Sequence, residues 1–356
     1  MSATLKILYL LHDSRRSGVP AVISCLIRSL DRSRVTPIVL FAYDGIYAAE
    51  LRAQGVEVIT FSKRWPFFWR LSRFLFNWHL FKLAKQIEIV HINSVKLSLS
   101  VIVARLLGLR VVFHIHEKPG KFGKVLIKAM GMADCVLFCA QNGATHFEQV
   151  PVRSKRVILN AVNVPEHVAK KEVRPLRLVM LGSINRNKGQ DLLLQAFSLL
   201  GKKDVELHLY GTVGLSAHIF VWNLKRYVRR HHLEGKVFFP GPTNDSGEVF
   251  RQADILVHGS LSECMSISIL EALSWGLPVI ANDIAGMDEI IRDGVNGYLV
   301  KTGDIGMLAE RISFLLNNPD HRKQVGHAGR KMIVQEFNMS KRADEFLRLY
   351  EELRRG

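Results

Sequence analysis

The sequence is short of most residues that mark specialised chemistry. Four cysteines, Cys25, Cys135, Cys139 and Cys264, are spread over 356 residues, and no two form a Cys-x-x-Cys pair. Three of them sit inside apolar runs, so buried free thiols in a reducing compartment are expected rather than a disulfide or a thiolate metal site. No Gly-x-Gly-x-x-Gly follows a strand-like run, and no glycine loop ends in Gly-Lys-Ser/Thr. That excludes the dinucleotide fingerprint and the Walker phosphate loop. No Asp-x-Asp occurs, and no His, Cys or carboxylate cluster has metal-ligand spacing, so neither a metal nor a cofactor is expected. No apolar run is long enough to span a bilayer; residues 97–115 come nearest, and Arg105, Gly108 and Arg110 interrupt them. The run at 6–11 lacks signal-peptide anatomy, so a cytoplasmic protein is expected. Acid is scarce in one half only. Residues 1–163 carry 23 Lys and Arg against 9 Asp and Glu, whereas residues 164–356 carry 26 against 23. A basic first half attracts an anionic partner: a membrane, a nucleic acid or a substrate. No nucleic-acid reader motif accompanies the charge, so that partner is not expected.

What is present is a regular alternation. Strand-like runs rich in Val, Ile and Leu fall at 6–11, 37–42, 56–60, 88–92, 110–115, 135–139 and 156–159, with helical patterns such as 20–30 and 95–107 between them. Near-continuous apolar runs mark strands covered on both faces. Residues 164–175 are polar and bounded by Pro165 and Pro175, as a linker would be. Alternation then restarts, with strands at 176–181, 205–210, 236–239, 254–257, 278–281 and 298–300. Helices are expected at 191–200, 217–232, 267–275, 306–316, 321–337 and 340–354. The expected architecture is α/β: two Rossmann-like, doubly wound domains, 1–163 and 176–339, facing across a cleft, with a C-terminal helix in 340–356. Ligands of such sheets bind beyond the carboxyl ends of the strands, so the loops after strands matter most.

Two of those loops carry chemistry. After the run ending at Leu181 comes Gly182-Ser183-Ile184-Asn185-Arg186-Asn187-Lys188-Gly189, leading into a helix. A glycine-bounded loop at a helix N-terminus offers N–H groups to an anion, and Arg186 and Lys188 add charge. A tight turn with two solvated cations would read the same way. After the run at 254–257, Glu263 and Glu271 stand eight residues apart, separated by Cys264-Met265-Ser266-Ile267-Ser268-Ile269-Leu270. Carboxylates accept from sugar hydroxyls, and N–H groups suit a diphosphate, so one polyol–phosphate ligand could span both. Helix-end charge and a solvated face are the alternative.

The Glu263-x7-Glu271 pair followed by Ala-Leu-Ser-Trp-Gly-Leu-Pro-Val resembles the signature of the retaining GT-B glycosyltransferases of family 4 (glycosyl transferases group 1). Gly182…Lys188-Gly189-Gln190-Asp191, Asn160-Ala161-Val162-Asn163, Gln252-Ala253-Asp254 and Asp293-Gly294-Val295-Asn296-Gly297 resemble further family elements in the same order. Ser17-Gly18-Val19-Pro20 resembles the family's Gly-Gly loop with one glycine left. His114-Ile115-His116-Glu117 resembles its sugar-site His-Asp/Glu, with His116 aligned.

The resemblance implies that the helix at 340–354 crosses back onto the N-terminal domain, and it implies roles. Glu271 would bind the nucleotide ribose and Glu263 would lie by the donor sugar. The backbone of Met265, Ser266, Ile267 and Ser268 would meet sugar and diphosphate, together with Gly18, Gly182, Ser183 and Arg186. Lys188 would neutralise the leaving diphosphate, and His116, Glu263 and Lys188 would form the catalytic set. Ser183 stands where the family has Arg, Cys264 where it has Gly, and Met265 where it has an aromatic residue.

Residues 63–85 hold six Lys or Arg, eight aromatics and no acid. Such a helix either packs its aromatics on the first sheet or lies on an anionic membrane through Trp65, Phe68, Trp69, Arg70 and Arg73. The expected function is retaining, metal-independent transfer of a hexose-type sugar from a UDP- or GDP-sugar to a hydroxyl of a lipid-linked or cell-surface saccharide, at the inner face of the cell membrane. A GT-B nucleotide-sugar epimerase and a non-catalytic sugar-nucleotide or membrane-binding module are the alternatives.

Overall fold

The computed structural model describes residues 4–61, 69–118, 123–166, 168, 175–201 and 204–355, with backbone only for 69–75. The chain forms two compact units: Met1–Ala161 with Met339–Gly356, and Val162–Asn338. The division therefore falls at Ala161 and again at Asn338, rather than at the polar stretch 164–175.

The first unit is built on a seven-stranded, wholly parallel sheet in the order β3-β2-β1-β4-β5-β6-β7. These strands are β1 (Leu5–Leu11), β2 (Val35–Phe41), β3 (Glu57–Thr60), β4 (Ile89–Asn93), β5 (Arg110–Ile115), β6 (Cys135–Phe138) and β7 (Lys155–Val157). Every residue of β1 but Lys6 is buried, which is why the run is apolar without alternation. Pro37 sits in β2 yet costs no ladder bond to β3, because that pairing begins at Ile38. Helices α1 (Gly18–Ser29), α2 (Ile46–Ala53), α3 (Trp69–Leu83), α4 (Ser98–Leu106), α5 (Lys124–Met132) and α6 (Gln141–His146) connect the strands.

The expected helix 95–107 is two elements, a 3-10 turn at Val95–Leu97 and then α4. The Ser94 hydroxyl accepts from the Lys96 amide, and the Ser98 hydroxyl donates to the Val95 carbonyl, so local side-chain bonds compete with the α-ladder. In α3, Phe76 and Leu80 pack into the core while Trp78 and Phe81 stay exposed.

The second unit has a six-stranded parallel sheet in the order β10-β9-β8-β11-β12-β13. Its strands are β8 (Leu176–Leu181), β9 (Val205–Tyr210), β10 (Val237–Gly241), β11 (Ile255–His258), β12 (Val279–Asp283) and β13 (Tyr298–Lys301). Its helices are α7 (Gln190–Ser198), α8 (His218–Arg230), α9 (Ser246–Gln252), α10 (Ile267–Ser274), α11 (Ile305–Asn317) and α12 (Pro319–Glu336). Helix α9 lies outside the helices expected above. Its mark is Asp245, whose carboxylate caps the Glu248 amide, an Asp-x-x-Glu start.

Both sheets run outward from their first strand in one direction and then in the other, so each has a switch point: β1 beside β4, and β8 beside β11. The last helix, α13 (Met339–Arg355), belongs to the first unit, where it packs on α1 and β4. It buries Phe346, Leu347 and Tyr350, and its ion pairs reach Arg34, Arg156 and Glu88.

Candidate active site

The switch point of the second sheet brings together the loops after β8 and β11. Their backbones touch at two glycines. Gly189 joins the 3-10 turn Arg186–Lys188 to α7 at φ +71°, in the left-handed region. A Cβ there would meet the Gly259 carbonyl oxygen at 2.2 Å, a distance no side chain tolerates. The Leu261 amide donates to the Asn187 carbonyl at 2.8 Å, and the Asn187 side-chain amide donates to the Ser262 carbonyl at 3.2 Å. From β12, the Asn282 amide donates to the Gly259 carbonyl at 2.7 Å. With the two loops clamped this way, the Lys188 ammonium bonds directly to Glu263 Oε1.

Glu263 has further partners. The Ser260 hydroxyl donates to Oε1 at 2.9 Å, and His258 Nε2 lies 3.7 Å from the same oxygen. Burial pushes the carboxyl up, but Lys188, His258 and the Ser260 hydrogen bond outweigh it and hold Glu263 below its ordinary value. It is a carboxylate at neutral pH. His258, at the end of β11, is pushed down to about 4, first by burial, with Glu263 opposing and Lys188 adding to the fall. Its Nε2 lies 2.9 Å from the Ser266 hydroxyl, which sits at the N-cap of α10 without capping it. The centre is therefore a buried neutral imidazole beneath a carboxylate–ammonium pair. A carboxylate can accept from a sugar hydroxyl; an ammonium can offset charge on a phosphate.

The other predicted residues take varied places. Glu271 is half-buried on α10, while Met265 and Ser266 are buried just before it and Ile267 and Ser268 open the helix. Gly182 lies against the Lys188 stem. Ser183 accepts from the Asn185 amide at 2.9 Å. Arg186 is exposed and lines a separate cavity of about 270 Å³ between α7 and α8, with Asp191, Phe220 and Tyr227. Sequence reasoning missed His258, Ser260 and Asn282. The first two directly follow or end a strand at its carboxyl end, which is signal enough to inspect them.

In the first unit, Gly18 opens α1 and is exposed. His116 follows β5, and its Nε2 is buried without a partner among the described residues. Burial pushes His116 down to about 4, with Glu117 opposing and His12 adding to the fall. Glu117 accepts from the Ser94 hydroxyl at 2.7 Å and so ties the loop after β5 to the loop after β4. The His116 ring lies on His114, centroids 3.8 Å apart. Beneath runs a buried polar chain: His114 Nδ1 is 3.1 Å from His91 Nε2, His91 Nδ1 is 2.7 Å from the Tyr350 hydroxyl, and Tyr9 donates to Tyr350 at 3.2 Å. Burial is the first cause of the low His91 value, about 3, and of the marked lowering at His114.

Four histidines are thus neutral when folded but free to charge when unfolded. Their stabilising contribution is complete above the unfolded value of about 6.5 and is lost as pH falls toward about 4. Each adds a slope of about 1.4 kcal/mol per pH unit within that window. Urea midpoints should therefore drop steeply between about pH 7 and about pH 5. A flat midpoint across that range would show that the imidazoles are not held neutral.

Trp65 and Phe68 lie outside the described residues, and Trp69, Arg70 and Arg73 fall on the backbone of α3. No helix among the described residues is long and apolar enough to cross a membrane.

Comparison with known proteins agrees with this geometry. Residues 165–332 match the family described as glycosyl transferases group 1, and residues 16–165 match glycosyltransferase family 4. EpsD of Bacillus subtilis is 33% identical over 174 residues, which are 49% of this chain and 44% of that protein. The poly(ribitol-phosphate) alpha-N-acetylglucosaminyltransferase of Staphylococcus aureus is 28% identical over 194 residues, 53% of this chain and 37% of that protein. The matched region thus spans less than half the length of these curated relatives. Among solved structures, the Anabaena protein Alr3699/HepE in complex with UDP and glucose superposes with a TM-score of 0.85, covering 98% of this chain and 99% of that one at 21% identity. S. aureus TarM superposes at 0.76, over 98% of this chain and 99% of that one, with 16% identity. At those identities the likeness speaks for the fold, a GT-B fold. With both halves matched in order and the loops of the second sheet built as described, the chain belongs to the family 4 glycosyltransferases of GT-B type.

Proposed function

We propose that the protein transfers a hexose-type sugar from a nucleoside-diphosphate sugar, a UDP- or GDP-sugar, to a hydroxyl of a lipid-linked or cell-surface saccharide. The observation that carries this reading is the Lys188–Glu263 pair, fixed by the Gly189–Gly259 contact beside the N-terminus of α10. In this reading the diphosphate lies against the first turn of α10, whose Ser266 N-cap spends its hydroxyl on His258 and Ser268 and leaves the amides to a ligand. Lys188 offsets the charge that grows on the diphosphate as the glycosidic bond breaks. Glu263 holds Lys188 in place and accepts from a sugar hydroxyl; Glu271 accepts from the ribose.

The resemblance to the retaining family implies that the diphosphate leaves and the acceptor attacks on the same face of the sugar, with retention; no carboxylate is assigned as a nucleophile. Because Lys188 and the helix amides supply the charge stabilisation, the mechanism calls for no metal. His116 is neutral and serves as a hydrogen-bonding group at the sugar rather than as a cation. The UDP of the HepE complex and the N-acetylglucosaminyl transfer named for the S. aureus relative support a UDP-sugar first. Contact with an anionic membrane at the cytoplasmic face fits α3, where exposed Trp78 carries the Lys82 ammonium 5.2 Å above its ring.

A thermal-shift screen with UDP, GDP, ADP and their sugars tests the reading. A ligand at about 100 times its Kd stabilises the folded state by about 2.7 kcal/mol, or roughly 5–11 °C for a unit of this size. One nucleotide family should give that shift in the wild type and lose it in Glu271→Ala. If no nucleotide moves the wild-type transition, the donor site is misassigned. Product formed without an acceptor would favour the epimerase.

A further inference from the structure

Helix α8 has an outer face that nothing among the described residues of the second unit covers. Its inner face, Phe220, Leu224 and Val228, is buried in the core. At 100° per residue, Ile219, Trp222, Arg226, Arg229 and Arg230 fall on the opposite side, and Leu215 lies in the 3-10 turn Leu215–Ala217 just before the helix. Leu215, Ile219 and Trp222 are 89%, 75% and 53% exposed. Single exposed apolar side chains are ordinary on a protein surface; a contiguous row of them beside cations is what marks a contact surface. The row is also segregated along the helix, with apolar groups toward its start and arginines toward its end. The Arg226 guanidinium lies 5.4 Å over the Trp222 ring, so cation and indole share one surface. From Thr212 to Leu233 there is no acidic residue.

We propose that this face of α8 is a membrane-contacting surface that takes an anionic lipid bilayer. The charge selects a polyanionic partner, and the apolar residues select among polyanions. A phosphate- or carboxylate-bearing polysaccharide would satisfy Arg226, Arg229 and Arg230 but would leave Leu215 and Ile219 against water-rich surface. A bilayer accepts both, with aliphatic groups at the acyl boundary, Trp222 at the headgroup level and guanidinium groups on lipid phosphates. The inference stands on the second unit alone and does not depend on α3 or on the donor site.

Flotation of the full-length protein with vesicles tests it, using pure phosphatidylcholine and phosphatidylcholine with one-third phosphatidylglycerol. The anionic vesicles should carry the protein and the neutral ones should not. Arg226→Gln with Arg229→Gln should weaken partitioning by roughly 10- to 30-fold, since each cation near such a surface is worth on the order of a fivefold change. Ile219→Ser with Trp222→Ser should weaken it by a similar factor while leaving nucleotide-induced thermal shifts unchanged. Trp78→Ser with Phe81→Ser, on α3, separates the two membrane readings. Loss only in the α3 variant overturns the α8 assignment and keeps the other; no flotation of the wild type overturns both. If sedimentation shows instead that the α8 variants lose a dimer, the face joins copies of the chain and the lipid proposal is wrong.

Discussion

Lys188→Ala lowers kcat by about 10²–10³-fold, the usual cost of removing one preorganised group that meets developing negative charge. KM for the donor rises less, because the charge on the diphosphate is greatest as the bond breaks. The substitution also leaves Glu263, largely buried, without its cation. Its carboxyl then loses the largest influence opposing burial, so the pH–rate profile should gain an acidic limb at higher pH than in the wild type. Lys188→Met combined with Glu263→Gln removes both charges together. It should recover folding stability relative to the single variant but not turnover, because a neutral pair is easier to bury yet cannot offset charge. Steady-state kinetics on the three proteins decides the matter. A single variant within about threefold of wild type would take Lys188 out of the catalytic set.

Removing the chain from Met339 onward unfolds the first unit. Met339, Ala343, Phe346, Leu347, Leu349 and Tyr350 are all buried in it. At about 1.5–3 kcal/mol for each large side chain, α13 contributes on the order of 10 kcal/mol, comparable with the 5–15 kcal/mol that stabilises a whole domain. Phe346→Ala alone should cost about 3–5 kcal/mol. Calorimetry of the truncated protein should lose the transition of the first unit and keep that of the second, and protease should cut the first unit quickly. Tyr350→Phe is gentler: it keeps the packing but takes the hydroxyl from His91 Nδ1 and Tyr9. An unchanged melting curve after truncation would mean that α13 is an accessory of the fold.

Local pattern carried much of the architecture. Each run of buried Val, Ile and Leu, such as Leu5–Leu11 or Cys135–Phe138, can be little else than a strand covered on both faces. The glycine-rich stretch before α7 and the two glutamates around Ser266 were legible because their spacing is local. What was hidden depends on pairs far apart in sequence. Gly189 looks like any loop glycine until Gly259 is found 2.2 Å from its absent Cβ. His91 gives no sign that it will meet Tyr350, 259 positions away. The polar stretch 164–175 looked like the boundary, yet the division lies at Ala161 because Val162 pairs with Asn338 and its amide donates to the Phe337 carbonyl. Composition marks where chain is soluble and cheap to expose; it does not mark which neighbours a backbone will choose.

The return of α13 to the first unit also sets a schedule. A ribosome makes Leu5 to Ala161, then all of Val162–Asn338, and only afterwards the helix that seats Phe346 beside His91 and His114. At about 5–20 residues per second the gap lasts roughly 10–35 s. Throughout that interval the seat of Tyr350 on β1 and β4 has no cover, whereas the second unit already has every strand and helix it needs. Nascent chains of this topology should thus mature back to front, the later-made half closing before the earlier one.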